Sequence, residues 1–356
     1  MAGVERGLGA GFRKPAVPWA SIIFGSSFLL FVAGGLLSGY LFYTSVRDIV
    51  AYYGLPSFAQ FGVIQPRERA ALSSRLADRD RVNILLMGVD QRPGESGPTR
   101  TDTMIVVTLD PESLTAGMLS VPRDLWVEVP GFGEHRINTA HFLGDRYSYP
   151  GGGPALAKRT VEYNLGVPIH YYARINFQGF RDIVDTLGGV TVEVPREIID
   201  AQYPTDDYGY TTIRILAGLQ HMDGDIALRY VRTRHGSSDF DRVLRQQQVL
   251  LAMRERALRL DILPRLPDLI RTMRYTASTD MTPTDILALA QIGAEVDLDR
   301  IQTGAIDRTM TERVILADNG ADVLFPLRER ICEVVEEIFA VRACSSPVEV
   351  LAREGS

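Results

Sequence analysis

Apolar and polar residues follow one another in blocks along this chain, and the first block predicts a membrane span. Residues 15–46 contain no charged side chain, and "WASIIFGSSFLLFVAGGLLSGYLFY" (19–43) is almost wholly apolar or small. A spanning helix needs about 20 apolar residues, so this segment is long enough. The apolar region of a cleavable signal peptide is roughly 7–15 residues long and leads to a small-x-small site. This stretch is longer and ends in aromatic residues, which favours a span.

Charges beside the span predict its orientation. Three cations precede it: Arg6, Arg13 and Lys14. The positive-inside rule then places residues 1–14 in the cytoplasm and the chain after about residue 46 outside the cell. We therefore expect a single-pass protein of the cell membrane, with its main domain extracellular. The mixed polar run 47–80 is predicted to be a juxtamembrane connector with some helix.

From residue 81 the pattern predicts interleaved strands and helices. The apolar runs 82–90 and 102–110 are rich in β-branched residues and bounded by turn residues, as buried strands are. "GMLSVPRDLWVEVP" (117–130) predicts a third strand, interrupted near Pro122. The remaining predictions are strands at 171–177 and 190–195, and helices at 155–166, 178–189, 241–260, 282–296 and 324–340. This order predicts an α/β (α+β) sandwich with a mixed central sheet flanked by helices over residues 81–330, followed by a C-terminal helix and tail, 331–356.

Two aspartates mark one edge of that predicted sheet. Asp90 ends the first strand, and Asp102 lies at the start of the next. If the two strands pair antiparallel through the loop 91–101, these carboxylates face one another. Such a pair repels unless a cation lies between the carboxylates. Mg²⁺ (or Mn²⁺), which combines one or two carboxylates with phosphate oxygens, is the expected ligand.

Further polar side chains are predicted at the same edge, because the chain reverses around residues 110–117. They are Arg92 and Arg100 from the loop, Arg123 with Asp124 beside Asp102, and Arg136 and Asn138 from "HRINTAH".

A second polar segment is "YVRTRHGSSDFDRVLRQQQ" (230–248). Ser238 or Asp239 is suited to cap the helix that follows. Within that helix Arg242, Arg245 and Gln246 project from neighbouring faces, while Arg232 and Arg234 would point the same way if their segment is extended. A helix N-terminus also favours phosphate. The alternative is a surface ion pair, Asp241–Arg245, on a solvated helix; only the separate polar edge around Asp102 favours the phosphate site.

Composition narrows the possible classes of function. The chain has 356 residues and a net charge of −6, and a nucleic-acid-binding protein would normally carry a basic stripe instead. Lys14 and Lys158 are the only lysines among 38 cations. Arginine suits bidentate phosphate recognition, although codon bias explains single arginines equally well. Cys332 and Cys344 have neither zinc nor CxxC spacing, and a disulfide between them stays open.

Several blocks together resemble the LytR–CpsA–Psr (LCP) family over roughly residues 81–330. They include "NILLMGVD", "RTDTMIVVTLD", "LSVPRDLWVEVPG", "RINTAH", "MDGDIALRYVRTR" and "DFDRVLRQQ". The resemblance implies a phosphotransferase that moves a glycopolymer from a polyprenyl-pyrophosphate carrier to the cell wall, usually peptidoglycan, with Mg²⁺. The partners it implies are that lipid-linked donor, a glycan acceptor and the membrane.

The resemblance also implies residue roles. Asp90 and Asp102 would hold the metal, and Asp102, Arg123 and Arg100 would be catalytic. The pyrophosphate would be bound by Arg92, Arg100, Arg123, Arg232, Arg234, Arg242 and Gln246. Supporting residues would be Asp239, Arg136 and Asn138. Two positions depart from the family pattern: Arg136 stands where lysine is common, and Asn176 where aspartate is common.

The polyprenyl tail would need an apolar tunnel, expected between the sheet and helices such as 155–166 and 175–190.

Three functions stay open. The first is the transferase, with Asp102 as a hypothetical general base. The second is a polyprenyl-pyrophosphate-binding protein or pyrophosphatase that uses no acceptor. The third is an envelope-related transcriptional attenuator without catalysis, which needs a cytoplasmic DNA-contacting module that 14 residues hardly supply.

Overall fold

The structure is a computed structural model that describes residues 81–91, 95, 97–205, 209–233, 239–260, 276–317 and 320–341. The predicted span 15–46 and connector 47–80 lie outside these residues, as do Arg92 and Arg234. Within the described ranges, no helix has both the length and the apolar character needed to cross a membrane.

The described elements include the predicted interleaving of strands and helices, together with several strands and two helices that were not predicted. The strands are β1 Val82–Val89, β2 Thr101–Asp110, β3 Thr115–Ser120, β4 Trp126–Val129, β5 Gly133–Arg136, β6 Tyr171–Asn176, β7 Val190–Val194, β8 Ile198–Pro204, β9 Tyr210–Ile215, β10 Gly218–Met222, β11 Ala277–Thr279, β12 Ile301–Ala305, β13 Thr311–Ile315 and β14 Asp322–Pro326. The helices are α1 Thr139–Arg146, α2 Gly152–Leu165, α3 Phe177–Thr186, α4 Gly224–Arg232, α5 Asp239–Arg259, α6 Pro283–Glu295 and α7 Arg328–Phe339.

A mixed six-stranded sheet forms the centre, in the order β11-β6-β1-β2-β3-β12. β1, β2 and β3 pair antiparallel in sequence, whereas β6 runs parallel to β1 and β12 parallel to β3. The expected hairpin between the first two strands is therefore confirmed, and so is the mixed sheet with helices around it.

Alternation along β1 sends side chains to two different layers. Leu85 and Met87 enter a core with Val161 of α2 and Phe339 of α7. On the opposite face Ile84 packs in a core with α6. Since successive strand residues point to opposite faces, the near-continuous apolar run of β1 reflects burial on both sides.

A smaller core joins α4 and α5 to two β-ribbons, β7–β10 and β8–β9. Val190, Ile213 and Tyr230 are among its buried residues. One buried amide fixes α5 to the central sheet: Gln247 Nε2 donates to Ser120 Oγ (3.0 Å) and to the Gly304 carbonyl (2.8 Å). These contacts set the position of α5 over the sheet.

Helix ends agree with the sequence signals in two clear cases. Thr282 and Asp285 form a reciprocal capping box at the start of α6. Gly166 ends α2 with φ of 68°, a left-handed conformation that glycine adopts without strain.

The last predicted helix, 324–340, is wrong at its start. Leu324–Pro326 belong to β14, which pairs with β13, and α7 begins only at Arg328. Strand pairing satisfies the backbone of these residues, and nothing in the local apolar pattern distinguishes the two outcomes.

Candidate active site

A cavity of about 1190 Å³ lies on one face of the central sheet and joins apolar walls to a polar end. Its polar end is lined by residues predicted from the sequence: Asp90, Asp102, Arg123, Arg232, Arg242 and Gln246. They come from the residue after β1, from β2, the turn after β3, the end of α4 and the start of α5. The tertiary structure thus brings distant segments to one place, as the predictions required.

A β-bulge positions Asp102. Gly88 pairs with Thr103 and Val89 with Thr101, so Asp102 is the extra residue of β2 at the point where the register shifts. Bulges re-aim side chains and are frequent beside active sites. Asp90 follows the last residue of β1, and both aspartates line the cavity.

Arg123 and its neighbours form a chain of alternating charge that leads away from the cavity. Arg123 Nη1 donates to Asp102 Oδ1 at 2.5 Å, and its Nε lies 3.4 Å from Asp124. Asp124 in turn lies 3.4 Å from Arg136 Nε. Arg136 Nη2 donates to the carbonyl of Asp322 at 2.8 Å. Arg136 is therefore connected to Arg123 through Asp124, and its supporting role stays a prediction.

Asn138 supports the same edge through its backbone. Its N–H donates to the Arg123 carbonyl (3.3 Å), and its own carbonyl accepts from Thr101 N–H (3.4 Å). The residue is 6% exposed. It ties the turn that carries Arg123 to the start of β2, beside Asp102.

Arg232 is held by aromatic rings at the polar end of the cavity. Its guanidinium carbon lies 3.8 Å from the centre of the Phe177 ring and 5.5 Å from that of Tyr203. Nη2 lies 3.7 Å from Asp90 Oδ2. Burial raises the pKa of Tyr203, against the opposing effect of Arg232, so the phenol stays neutral. The expectation of an extended segment at Arg232 is wrong, because Arg232 is the last residue of α4.

The first turns of α5 form the wall beside Arg232. Arg242 lines the cavity and is 6% exposed, and Gln246 lines it one turn later. Arg245 is equally buried, and Asp241 is ion-paired with Arg196 at 3.1 Å. The alternative of a solvated charged face is therefore wrong for Arg242 and Arg245. Asp239 is the first described residue of α5; its side chain lies outside the description.

Among the described residues that were predicted to bind the metal or the pyrophosphate, Arg100 alone does not line the cavity. It is exposed, its guanidinium lies 5.9 Å from the centre of the Phe142 ring, and it does not line the cavity. Its catalytic and pyrophosphate-binding roles stay predictions.

Of the two helices predicted to line the tunnel, only one lines the cavity. Phe177, Phe180 and Ile183 of α3 line the cavity, as expected for the helix within 175–190. No described residue of 155–166 does; α2 packs on the opposite face of the sheet, in the core that contains Leu85. Helices α4, α5 and α6 complete the walls instead, through Leu228, Val231, Leu250, Met253 and Ile286.

Several lining residues were missed or left without a role. Arg174 and Asn176 of β6 and Asp200 of β8 border the cavity. Asn176 also caps α3, since its side chain accepts from Gly179 N–H at 2.9 Å. An asparagine before a helical pattern is a readable cap signal, and since asparagine and aspartate cap helices equally well, the exchange keeps the cap. Asp200 lies in an amphipathic strand without any local signal.

His141, left unassigned by the sequence, is fully buried in α1. Its Nδ1 lies 2.8 Å from the Thr99 carbonyl and 3.5 Å from Asp145. Burial lowers the pKa of His141; the Thr99 carbonyl and Asp145 oppose this, and Arg174 lowers it further. The imidazole is therefore held neutral near pH 7.

The acidic residues at the polar end suit a hard cation that also binds phosphate. Within the described part of the chain, no group of three or more His, Cys, Asp or Glu residues is arranged to hold a metal. Asp90 and Asp102 are two carboxylates on one cavity. Mg²⁺ usually takes one or two carboxylates and completes its coordination with water and substrate phosphates, so this pair fits Mg²⁺.

Comparison with known proteins is consistent with this geometry. The LytR_cpsA_psr family model matches residues 62–339. The polyisoprenyl-teichoic acid–peptidoglycan teichoic acid transferase TagU of Oceanobacillus iheyensis is 32% identical over 77% of this chain and 76% of its own length. TagT of Bacillus subtilis, which carries the same transferase name, is 34% identical over 59% of this chain and 63% of its own.

A solved structure, TagT bound to LIIa-WTA, has a TM-score of 0.58 and 29% identity; the match covers 74% of this chain and 91% of that one. The relatives' names confirm the prediction of an enzyme of the glycopolymer-transferring type. The chain belongs to the LytR_cpsA_psr family.

Proposed function

We propose that this protein is a membrane-anchored phosphotransferase that moves a glycopolymer from a polyprenyl-pyrophosphate carrier to peptidoglycan. One observation carries the proposal: predicted cationic and acidic residues converge at the polar end of an otherwise apolar cavity of about 1190 Å³. A pyrophosphate with a long hydrocarbon tail has this same division between charged and apolar parts.

In this proposal the tail lies between α3, α5 and α6, where Phe180, Met253 and Ile286 offer apolar contacts. Burial there contributes about 25 cal/mol per Å² of apolar surface removed from water. That energy binds donor and transition state alike, so it sets affinity rather than rate.

The pyrophosphate lies among Arg123, Arg232 and Arg242. An acceptor sugar hydroxyl gives up its proton, for which Asp102 is the hypothetical acceptor, and attacks the phosphorus next to the glycan. The bond from that phosphorus to the bridging oxygen breaks, and polyprenyl phosphate leaves. Negative charge builds on phosphoryl oxygens during such a transfer. Fixed guanidinium groups stabilise this charge without reorganising, which is why their positions matter.

Asp90 and Asp102 would hold Mg²⁺ or Mn²⁺, which supplies further neutralisation of the phosphate charge. Chelation with EDTA should abolish transfer, and added Mg²⁺ should restore it. Full activity after exhaustive chelation would remove the metal from the proposal.

The proposed location is the cell membrane, with residues 1–14 in the cytoplasm and the catalytic domain outside. The uncharged segment 15–46 supports it. Cys332 is disulfide-bonded, as suits an oxidising compartment, and Cys344, the other cysteine of the chain, lies outside the described residues. Protease added to intact cells should digest the main domain; full protection would revive the transcriptional attenuator.

The central test uses a polyprenyl-pyrophosphate glycan with and without peptidoglycan acceptor. Transfer to the sugar is expected, and Asp102→Ala or Arg123→Ala should lower its rate strongly while the fold, followed by circular dichroism, stays intact. Release of the glycan to water alone would favour a pyrophosphatase, and binding without turnover would favour a carrier protein.

A further inference from the structure

Arg245 is a buried cation of α5 that does not line the cavity. It is 6% exposed, and its Nη2 donates to the carbonyl of Thr233 at 2.6 Å. Its guanidinium lies 5.7 Å from the centre of the Tyr230 ring. Burial lowers the pKa of Arg245, with opposing contributions that begin with Tyr230. Burying a cation is unfavourable unless hydrogen bonds compensate, so this arrangement calls for an explanation.

Thr233 makes a second buried contact on its other side. Its hydroxyl donates to Asp200 Oδ2 at 2.6 Å, and Asp200 Oδ1 accepts from Gln202 N–H at 2.9 Å. Thr233 and Asp200 are each 1% exposed. Hydrogen bonds to ionised groups are strong, and a low local dielectric strengthens them further. Arg245, Thr233 and Asp200 thus form a buried relay that links α5 to β8.

The relay lies at the end of α4. Thr233 follows Arg232 directly, and its N–H donates to the Arg229 carbonyl at 3.0 Å. The last carbonyls of a helix lack partners within the helix. Here side chains of α5 supply the missing partners. Gln246 Nε2 donates to the Val231 carbonyl at 3.4 Å, and Arg245 donates to the Thr233 carbonyl. The partial negative charge of a helix C-terminus also favours a cation there.

We infer that Arg245, with Thr233 and Asp200, is a positioning residue that holds the last turn of α4 so that Arg232 faces the pyrophosphate. The inference rests on the proposed transfer reaction. Arg232 has to stay between Phe177, Tyr203 and Asp90 to present its guanidinium to the cavity. A terminal turn without its caps frays easily, and a displacement of about 1 Å at a positioned group costs on the order of 10²-fold in rate.

The test compares variants that break and keep the relay, in the full-length protein in liposomes. The donor is a synthetic polyprenyl-pyrophosphate disaccharide, and the acceptor is soluble peptidoglycan. For Arg245→Met and Thr233→Val we expect kcat to fall by roughly 10- to 100-fold. KM should change by less than about twofold, since the tail still binds in the unchanged apolar cavity. Thr233→Ser, which keeps the hydroxyl, should restore kcat to within about threefold of wild type.

Arg254→Met is the matched control. Arg254 lies on the same helix, donates to the Gly293 carbonyl (2.9 Å) and to that of Val296, and burial likewise lowers its pKa. It does not line the cavity. We expect this variant to lower Tm at unchanged kcat, whereas Arg245→Met should lower kcat whatever its Tm.

Amide hydrogen exchange gives a readout that does not depend on turnover. Residues 229–233 should exchange faster in Arg245→Met and Thr233→Val, and at the wild-type rate in Arg254→Met. Wild-type kcat or wild-type exchange in Arg245→Met would overturn the inference. A wild-type chain that transfers nothing would instead overturn the proposed function, and the exchange measurement would still decide whether the relay holds α4.

Discussion

The polar end of the cavity has two walls, which hold their charges in different ways. The strand wall carries Asp102 and Arg123, and the helix wall carries Arg232 and Arg242. On the strand wall, Arg123 is countered by Asp102 at 2.5 Å, and the chain of alternating charge continues outward through Asp124. On the helix wall, Arg232 lies against Phe177 and Tyr203, with Asp90 at 3.7 Å. Aromatic rings fix a guanidinium without cancelling its charge, so more positive charge remains for a phosphate on the helix wall.

Burial adds to this difference. The side chain of Arg232 is 15% exposed, against 22% for that of Arg123. Charges interact more strongly where water is excluded. For the proposed transfer reaction, we therefore expect the helix wall to supply most of the stabilisation of the transition state and the strand wall to orient Asp102.

The largest expected effect is therefore on the helix wall. Arg232→Ala should lower kcat by roughly 10³-fold, because it removes a fixed donor beside the developing charge. Arg232→Lys keeps the charge but loses the planar stacking on Phe177, so an intermediate loss is expected. Steady-state transfer kinetics measure both.

Arg229→Ala is the control for that comparison, since Arg229 is exposed on the same helix, three residues earlier. It should retain wild-type kcat. Equal losses in the two alanine variants would mean that the whole of α4 had been disturbed and that the stacked position has no special role.

On the strand wall, Arg123→Lys should lower kcat by roughly 10- to 100-fold, less than the loss of Arg232. A lysine keeps the charge beside Asp102 but loses the second contact, with Asp124. Arg313→Lys, in the exposed pair with Asp322, serves as the control and should be silent. A larger loss for Arg123→Lys than for Arg232→Ala would reverse the ranking of the walls.

Farther out, Asp124→Asn should lower kcat by only about threefold to tenfold at low salt. The aspartate is 30% exposed and acts through Arg123 and Arg136. Ions screen partly exposed charges, so the difference from wild type should shrink as salt is raised. An effect that does not depend on salt would contradict the indirect electrostatic role.

The smallest effect on activity is expected at His141. The prediction for this residue concerns the stability of the protein instead. Because the folded protein lowers the pKa of this imidazole, its contribution to the free energy of unfolding is fully present above the unfolded pKa of about 6.5. It is lost as pH falls through the lower folded value. Denaturant titrations should therefore show wild type losing stability between pH 7 and 5 more steeply than His141→Gln. His221→Gln, at an exposed position, should follow wild type.

Much of the site followed from local sequence. Asp90 and Asp102 were readable as strand-end residues, and the hairpin between their strands follows from two apolar runs and a turn-rich loop. The cluster at Arg242 and Gln246 was readable from helical spacing. These features can be read from local sequence because hydrophobic periodicity and turn formation depend on only a few neighbouring residues.

Other features depend on neighbours that sequence does not show. The register shift that makes Asp102 the bulged residue depends on pairing, and the end of α4, which carries Arg232, receives hydrogen bonds from α5. The opposite faces taken by α2 and α3 could not be distinguished either, since both helices are equally apolar.

The sequence by itself determined which residues carry charge, where several of the strands and helices form, and the family to which the chain belongs. Only the tertiary structure decided which face of the sheet carries the cavity, which arginines are buried and which, such as Arg100, remain at the surface. The physical reason is that element type follows from local periodicity, whereas burial and partnership follow from packing between segments far apart in the chain.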